Sequence, residues 1–146
     1  MNSVTDISIH CPCCDREFEA AVPTSAGTPG LTTTDFFTMS AGGRSIHHQL
    51  YTCSHCGFTS EEIEEGQIRD DVRRFVGEII TPQLQAGVEV PSWKKFEFLA
   101  LIDEILGASH YSVGMMYLHA AWCCYDLKRH DCERLYRERA LYHFLR

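Results

Sequence analysis

The chain has 146 residues, 45% hydrophobic and 23% charged, with a net charge of −7. That suffices for one ordinary domain or a small module fused to a helical one, and it excludes a disordered chain. No run approaches the ~18 apolar residues of a membrane span, and Met1 to Asp6 carries neither the basic nor the apolar segment of a secretory signal.

The first sixty residues read as short strands and turns. Val4 to Ile9 roughly alternates apolar and polar side chains, Cys11-Pro12-Cys13-Cys14 turns the chain, and Phe18 to Val22 makes a return strand. Residues 23–34, with Pro23, Gly27, Pro29 and Gly30, predict a loop. Asp35-Phe36-Phe37 predicts a short docked turn. Arg44 to Thr52 sets Ile46, His48 and Leu50 on one face and His47, Gln49 and Tyr51 on the other, which is strand periodicity running into Cys53-Ser54-His55-Cys56-Gly57.

After Ser60 the period changes. Ile68, Val72, Phe75, Val76, Ile79 and Ile80 predict an amphipathic helix over Glu61 to Ile80, capped by Ser60 and stopped by Pro82. Gly87 to Pro91 is a loop. Ser92 caps a second helix carrying Phe96, Leu99, Ile102, Ile105 and Leu106 and closed by Gly107. A third runs from Ser109 to Leu127 with Val113, Met116, Tyr117, Ala120 and Ala121 inward. After a turn at Lys128-Arg129-His130-Asp131, a fourth holds Leu135, Tyr136, Ala140, Leu141 and Phe144. The expected architecture is α+β: a β-rich, zinc-ribbon-like four-cysteine module over residues 1–60, then an antiparallel helical bundle over residues 61–146 with a hairpin at 109–146, the two forming one unit.

Eight cysteines are the unusual count. Without a secretory signal, the pairs Cys11-x-x-Cys14 and Cys53-x-x-Cys56 point to reduced thiolates on a metal in the cytoplasm rather than to disulfides. Four thiolates at about 2.3 Å satisfy tetrahedral Zn²⁺, and each pair forms a knuckle whose backbone amides face the sulfurs. The residue after the second cysteine adopts a left-handed conformation, free for Gly57 and costlier for Asp15. A sixty-residue segment rich in loops buries too little to fold without a staple. Four thiolates leave no open coordination position, so one structural Zn²⁺ is expected and chemistry at the ion is not.

Other residues qualify this reading. Cys13 either exchanges with a neighbouring ligand, stays a reactive thiol, or faces solvent unused, the last being the ordinary expectation. His10, His47, His48 and His55 are alternative ligands, better assigned to supporting or surface roles. Cys123, Cys124 and Cys132 lack metal spacing and fit helix packing. His119 and Cys123 could be drawn as base and nucleophile, but no third group orients them. Phosphate-loop, G-x-S-x-G and H-E-x-x-H motifs are absent. The segment around the cysteines has only Arg16 and Arg44 as cations, which disfavours nucleic acid. The acidic stretch 61–104 and the basic end from Lys128 to Arg146 read as solvated helix faces, or as a docking surface for a charged protein partner.

The hairpin at 109–146 has the length of one tetratricopeptide unit, with Ala121-Trp122 and Tyr125 in its first helix and Ala140-Leu141 and Phe144 in its second. Cys11-Pro12-Cys13-Cys14-Asp15 with Phe18, then Asp35-Phe36, then Tyr51-Thr52-Cys53-Ser54-His55-Cys56-Gly57-Phe58, and finally Ala121-Trp122 and Ala140-Leu141 together resemble a bacterial domain family of unknown function. Its members pair two CPxCG knuckles and continue into TPR-like helices. This chain departs from that pattern with Asp15 in place of Gly, Ser54 in place of Pro, and shortened C-terminal helices. The resemblance implies metal binding and a scaffold, and no activity. The expected function is a non-enzymatic zinc-binding protein whose helices dock a protein partner; the alternative is a thiol-redox or metal-responsive regulator using Cys13.

Overall fold

The computed structural model describes residues 4–23, 28–32, 34, 38–41, 45–62 and 66–146. Strand β1 (Val4–His10) pairs antiparallel with β2 (Glu17–Pro23), with Ile7 opposite Ala20 and Ile9 opposite Phe18. The alternation read from the sequence holds: Ile9, Phe18 and Ala20 are buried on one face while Ser8 and Glu19 face solvent.

Two expectations for the next segment need correction. The predicted loop contains β3 (Thr28–Thr32), paired with β4 (Thr38–Ala41), and the register shifts between Pro29 and Thr32. Proline and glycine are tolerated in strands at such irregularities, so their presence did not exclude a ladder. The turn expected at Asp35-Phe36-Phe37 lies outside the described residues. The strand expected from Arg44 is a 3-10 turn, Ser45–His48, and only β5 (Tyr51–Thr52) is extended, paired with β6 (Thr59–Ser60). Ile46 and Leu50 are both buried. Residues four apart share a face in a helical turn as well as in a strand, so this pair could not separate the two periods.

The first helix is shorter than predicted. Helix α1 spans Asp70–Phe75, continues as π-helical Val76–Ile80 and ends in a 3-10 turn, Thr81–Gln83. Residues 61, 62 and 66–69 are not helical, and Gly66 has φ +101°. Ser60 does not cap it; its hydroxyl donates to the Glu62 carbonyl at 2.6 Å. Val72, Val76 and Ile80, each four residues apart, are all fully buried. An α-helix turns ~100° per residue, so strict four-residue steps drift by ~40° each. The wider turns of the π segment take up that drift and keep all three side chains on the core side.

Helix α2 (Ser92–Ile105) begins after Pro91, and the Ser92 hydroxyl turns to His47 instead of capping the helix. Phe96, Phe98, Leu99, Ala100 and Ile102 are buried around more than one face, whereas Ile105 and Leu106 point outward. Gly107 (φ +79°) closes it, its amide on the Glu104 carbonyl and that of Ala108 on the Asp103 carbonyl. In α3 (His110–Asp126) the Ser109 side chain accepts from the Ser112 amide, and Val113, Met116, Tyr117, Ala120 and Ala121 are buried as expected. Helix α4 (His130–Phe144) returns antiparallel: Tyr117 stacks on Tyr136 and on His143, and His110 meets His143. Of its apolar residues Tyr136 and Ala140 are buried, while Leu135, Leu141 and Phe144 are exposed.

Among the described residues, buried side chains fall into two clusters. One joins Ile46 and Leu50 to Phe96, Leu99 and the facing sides of α3 and α4. The other joins Ile9, Phe18 and Phe58 to four cysteines, to Val72, Val76 and Ile80, and to Phe98 and Ile102 of α2. The fold is thus mixed α+β, small antiparallel hairpins around a cysteine cluster followed by helices. Among the described residues, no helix is long and apolar enough to cross a membrane.

Candidate metal centre

The two cysteine pairs sit in turns of the same construction. In the first, between β1 and β2, the Cys11 amide bonds the Arg16 carbonyl at 2.8 Å and the Asp15 amide bonds the Cys11 carbonyl at 3.0 Å. In the second, between β5 and β6, the Cys53 amide bonds the Phe58 carbonyl at 2.9 Å and the Gly57 amide bonds the Cys53 carbonyl at 2.8 Å. Both turns need a left-handed residue after the second cysteine, as the sequence predicted: Asp15 has φ +62° and Gly57 φ +85°. Gly57 is required for a second reason, because a Cβ there would stand 2.6 Å from Ile80 Cγ2.

These turns bring Cys11, Cys14, Cys53 and Cys56 together, with all four sulfurs within 4.8 Å of one another. Cys11 Sγ lies 3.7 Å from Cys56 Sγ, and Cys14 Sγ lies 3.7 Å from Cys53 Sγ. A disulfide would need ~2.05 Å, and every cysteine in the chain is free. A tetrahedron with metal–sulfur bonds of about 2.3 Å has edges of about 3.8 Å, so the spacing fits a single Zn²⁺-sized ion. Amides are aimed at the sulfurs, from His55 to Cys53 and from Phe58 to Cys56, each at 3.4 Å.

The thiols perturb one another strongly. The hydrogen bond with Cys53 pushes Cys11 up to about 12, with burial adding to it, and contact with Cys11 likewise raises Cys56. Cys53 is held far below the usual thiol range by hydrogen bonds from Cys11 and Cys56. Four thiols crowded into one buried pocket cannot all ionise without a cation, and a divalent ion would supply that charge.

Two residues that the sequence did not single out hold both turns from α1 and its extension. Arg73 donates to the Cys13 carbonyl at 2.6 Å, and Thr81 donates to the Cys56 carbonyl at 2.7 Å. Thr81 also shares its hydroxyl with the Val76 carbonyl inside the π segment. Arg73 thereby sets a positive charge beside the sulfur cluster. No local pattern announces either residue, because each acts across sixty or twenty-five positions of chain.

The histidines near the turns are not in the sulfur cluster. His10 pairs with Asp15 at 3.2 Å, His55 bonds the Glu17 carbonyl at 3.0 Å and so ties the second turn to β2, and His47 bonds Ser92 and Asp126. Cys13 corrects the expectation of a solvent-facing thiol: it is 4% exposed and packed with the cluster. The hydrogen bond with Cys56 favours its thiolate and holds its pKa below the usual thiol value, and the Arg73 charge adds to that. Cys123 and Cys124 are fully buried in the helical core, as expected, and burial pushes Cys124 up. His119 packs against the rings of Phe96 and Trp122.

Comparison with known families agrees with the resemblance read from the residues. The chain belongs to the family described as "Uncharacterized protein conserved in bacteria (DUF2225)". The family's model matches residues 4–146, which takes in both cysteine turns and all the helices. No curated protein and no solved structure matches the chain.

Proposed function

We propose that the protein is a zinc-stapled scaffold: Cys11, Cys14, Cys53 and Cys56 bind one structural Zn²⁺, and the helices dock another protein. The supporting observation is the sulfur cluster, spaced as a zinc tetrahedron and gripped through its carbonyls by Arg73 and Thr81. A closed four-thiolate shell supports structure rather than catalysis. For docking, the end of α4 and the start of α3 leave Leu141, Tyr142, Leu145 and Tyr111 exposed. The basic residues expected to matter there are largely engaged: Arg134 pairs with Glu138, Arg137 with Glu133 and Arg139 with Glu97. The surface on offer is therefore more apolar than cationic, and the TPR-like length of the α3–α4 hairpin suits a protein partner. Location in the cytoplasm, where thiols stay reduced, is part of the same proposal.

A second reading, a thiol-redox or metal-responsive regulator, draws support from Cys13, a further thiol buried beside Cys56 and a candidate to replace a ligand when the site is oxidised. Metal analysis with thiol titration separates the two. The scaffold reading expects one tightly held zinc per chain, lost together with the fold in Cys53→Ser, and a Cys13→Ser protein that keeps both. Reversible zinc release on mild oxidation that disappears in Cys13→Ser would favour the regulator.

A further inference from the structure

Outside the sulfur cluster, two cysteines meet across the turn that joins α3 to α4. Backbone bonds close that turn: the Leu127 amide to the Cys123 carbonyl at 3.1 Å, the Lys128 amide to the Tyr125 carbonyl at 3.1 Å, and the Arg129 amide to the Cys124 carbonyl at 2.7 Å. Lys128 takes the left-handed conformation the turn requires, φ +58°. The chain reverses at once, and Cys132, on the first turn of α4, comes back to Cys124, on the last turn of α3. Their side chains are hydrogen-bonded. Both pack with the helical core and not with the core that holds the four metal-site cysteines.

The two thiols differ in what decides reactivity. Cys124 is fully buried, and burial is the main cause that pushes its thiol up, the charges of Cys132 and Cys123 and the bond to Cys132 adding to it. Cys124 therefore keeps its proton and donates it to the Cys132 sulfur. Cys132 is half-buried, and the residues leading to it, Lys128, Arg129, His130 and Asp131, are all exposed. The Arg129 guanidinium donates to the Cys132 sulfur at 3.7 Å. Asp131, at 3.4 and 3.5 Å, and the Trp93 ring, with its centroid 5.2 Å away, hold that guanidinium in place. The sulfur also lies among the leading amides of α4, which have no acceptor within the helix. Accessible sulfurs beside a cation and a helix N-terminus are where thiolate chemistry concentrates.

We propose that Cys132 and Cys124 form a thiol pair oxidised by small hydroperoxides, with Cys132 the attacking sulfur and Cys124 the one that resolves it. The Cys132 sulfur attacks one peroxide oxygen; the oxygen–oxygen bond breaks, and the departing oxygen takes up the thiol proton. Cys132 is left as a sulfenic acid. The Cys124 sulfur then attacks the Cys132 sulfur, the sulfur–oxygen bond breaks, and the hydroxyl leaves as water with the Cys124 proton. In sum two thiols are oxidised to one disulfide and hydrogen peroxide is reduced to two waters. A hydroperoxide reaches a half-buried sulfur without a formed pocket, and sulfurs already in hydrogen-bond contact have only a short approach left to the ~2.05 Å of a disulfide. In a reducing compartment such a bond is transient, which suits a reversible mark on the α3–α4 hairpin. The pair is separate from Cys13, and the proposal does not rest on the zinc reading.

The test treats the full-length, metal-loaded protein with a slight excess of hydrogen peroxide, maps the cysteines by peptide mass spectrometry and follows zinc with a chromogenic chelator. A Cys124–Cys132 disulfide is expected, formed before zinc is released and reversed by dithiothreitol. In Cys124→Ser, dimedone should trap a sulfenic acid at Cys132, and in Cys132→Ser the Cys124 thiol should stay reduced. Arg129→Gln should slow alkylation of Cys132 by iodoacetamide severalfold while Arg129→Lys keeps most of the rate, a pattern that a purely packing role would not produce. A folded wild-type protein in which peroxide oxidises the metal-site cysteines and leaves Cys124 and Cys132 as thiols overturns the proposal. So does Cys124→Ser without a dimedone adduct at Cys132, or alkylation that ignores Arg129.

Discussion

The molecule has two cores that share one helix, and they are built on different principles. Around α3 and α4, close-packed rings and small side chains do the work: Tyr117 stacks on Tyr136 and His143, and Ala120, Ala121 and Ala140 let the backbones approach. Around the cysteines, the short β1–β2 and β5–β6 hairpins have little apolar surface to bury, and four sulfurs converge where a packed core would be. Helix α2 serves both, turning Phe96 and Leu99 to one and Phe98 and Ile102 to the other. Packing scales with buried area, whereas a metal staple depends on a few atoms, so the two regions should fail under different insults.

Removing the metal gives the largest expected difference. Structural zinc in small modules contributes on the order of 10 kcal/mol. A strong chelator, or Cys53→Ser, should abolish hydrogen-exchange protection in residues 4–23 and 51–60 while much of the α3–α4 hairpin keeps it. Equal loss in both regions would mean that the division is wrong.

Truncation on either side of α2 sharpens the contrast. Phe96→Ala and Phe98→Ala should each cost about 3–5 kcal/mol. Only Phe98→Ala should also weaken zinc retention in a competition with a chromogenic chelator. Next comes Gly57→Ala, which combines a left-handed backbone with a Cβ driven into Ile80, for about 2–4 kcal/mol in thermal or urea unfolding.

Thr81→Val and Arg73→Met remove side-chain hydrogen bonds to the cysteine turns, at about 1–2 kcal/mol for each variant by urea unfolding. Both should speed zinc loss without changing the α3–α4 core. The smallest effect lies at the junction. Burial, with Glu61 adding to it, raises the Asp103 carboxyl from 3.8 to about 6. An acid whose folded value is raised loses stability on ionising, so the cost accrues as the pH climbs through that window. Asp103→Asn should flatten the urea-unfolding stability across it and gain about 1 kcal/mol at neutral pH, discounted for partial exposure.

What could be read directly from the residues follows from how local each signal is. The C-x-x-C spacings, the left-handed Asp15 and Gly57, and the β1–β2 alternation are short-range patterns, and they appear in the structure where expected. Helices α2, α3 and α4 were legible from their apolar period. The start of α1 was not, because the apolar repeat with its acidic flank looked helical while Gly66 and the β6 strand had already fixed the chain differently. Ile46 and Leu50 satisfied two periods at once. Arg73, Thr81 and the bonds from His47 to Ser92 and Asp126 act through contacts between distant segments, which no window of sequence contains.

The most direct test of the central claim is X-ray absorption at the metal edge of the protein purified without added chelator. One zinc per chain, surrounded by four sulfurs at about 2.3 Å, is the predicted result. A shell of nitrogen and oxygen ligands, or cysteines recovered as disulfides with no stoichiometric metal, would contradict it.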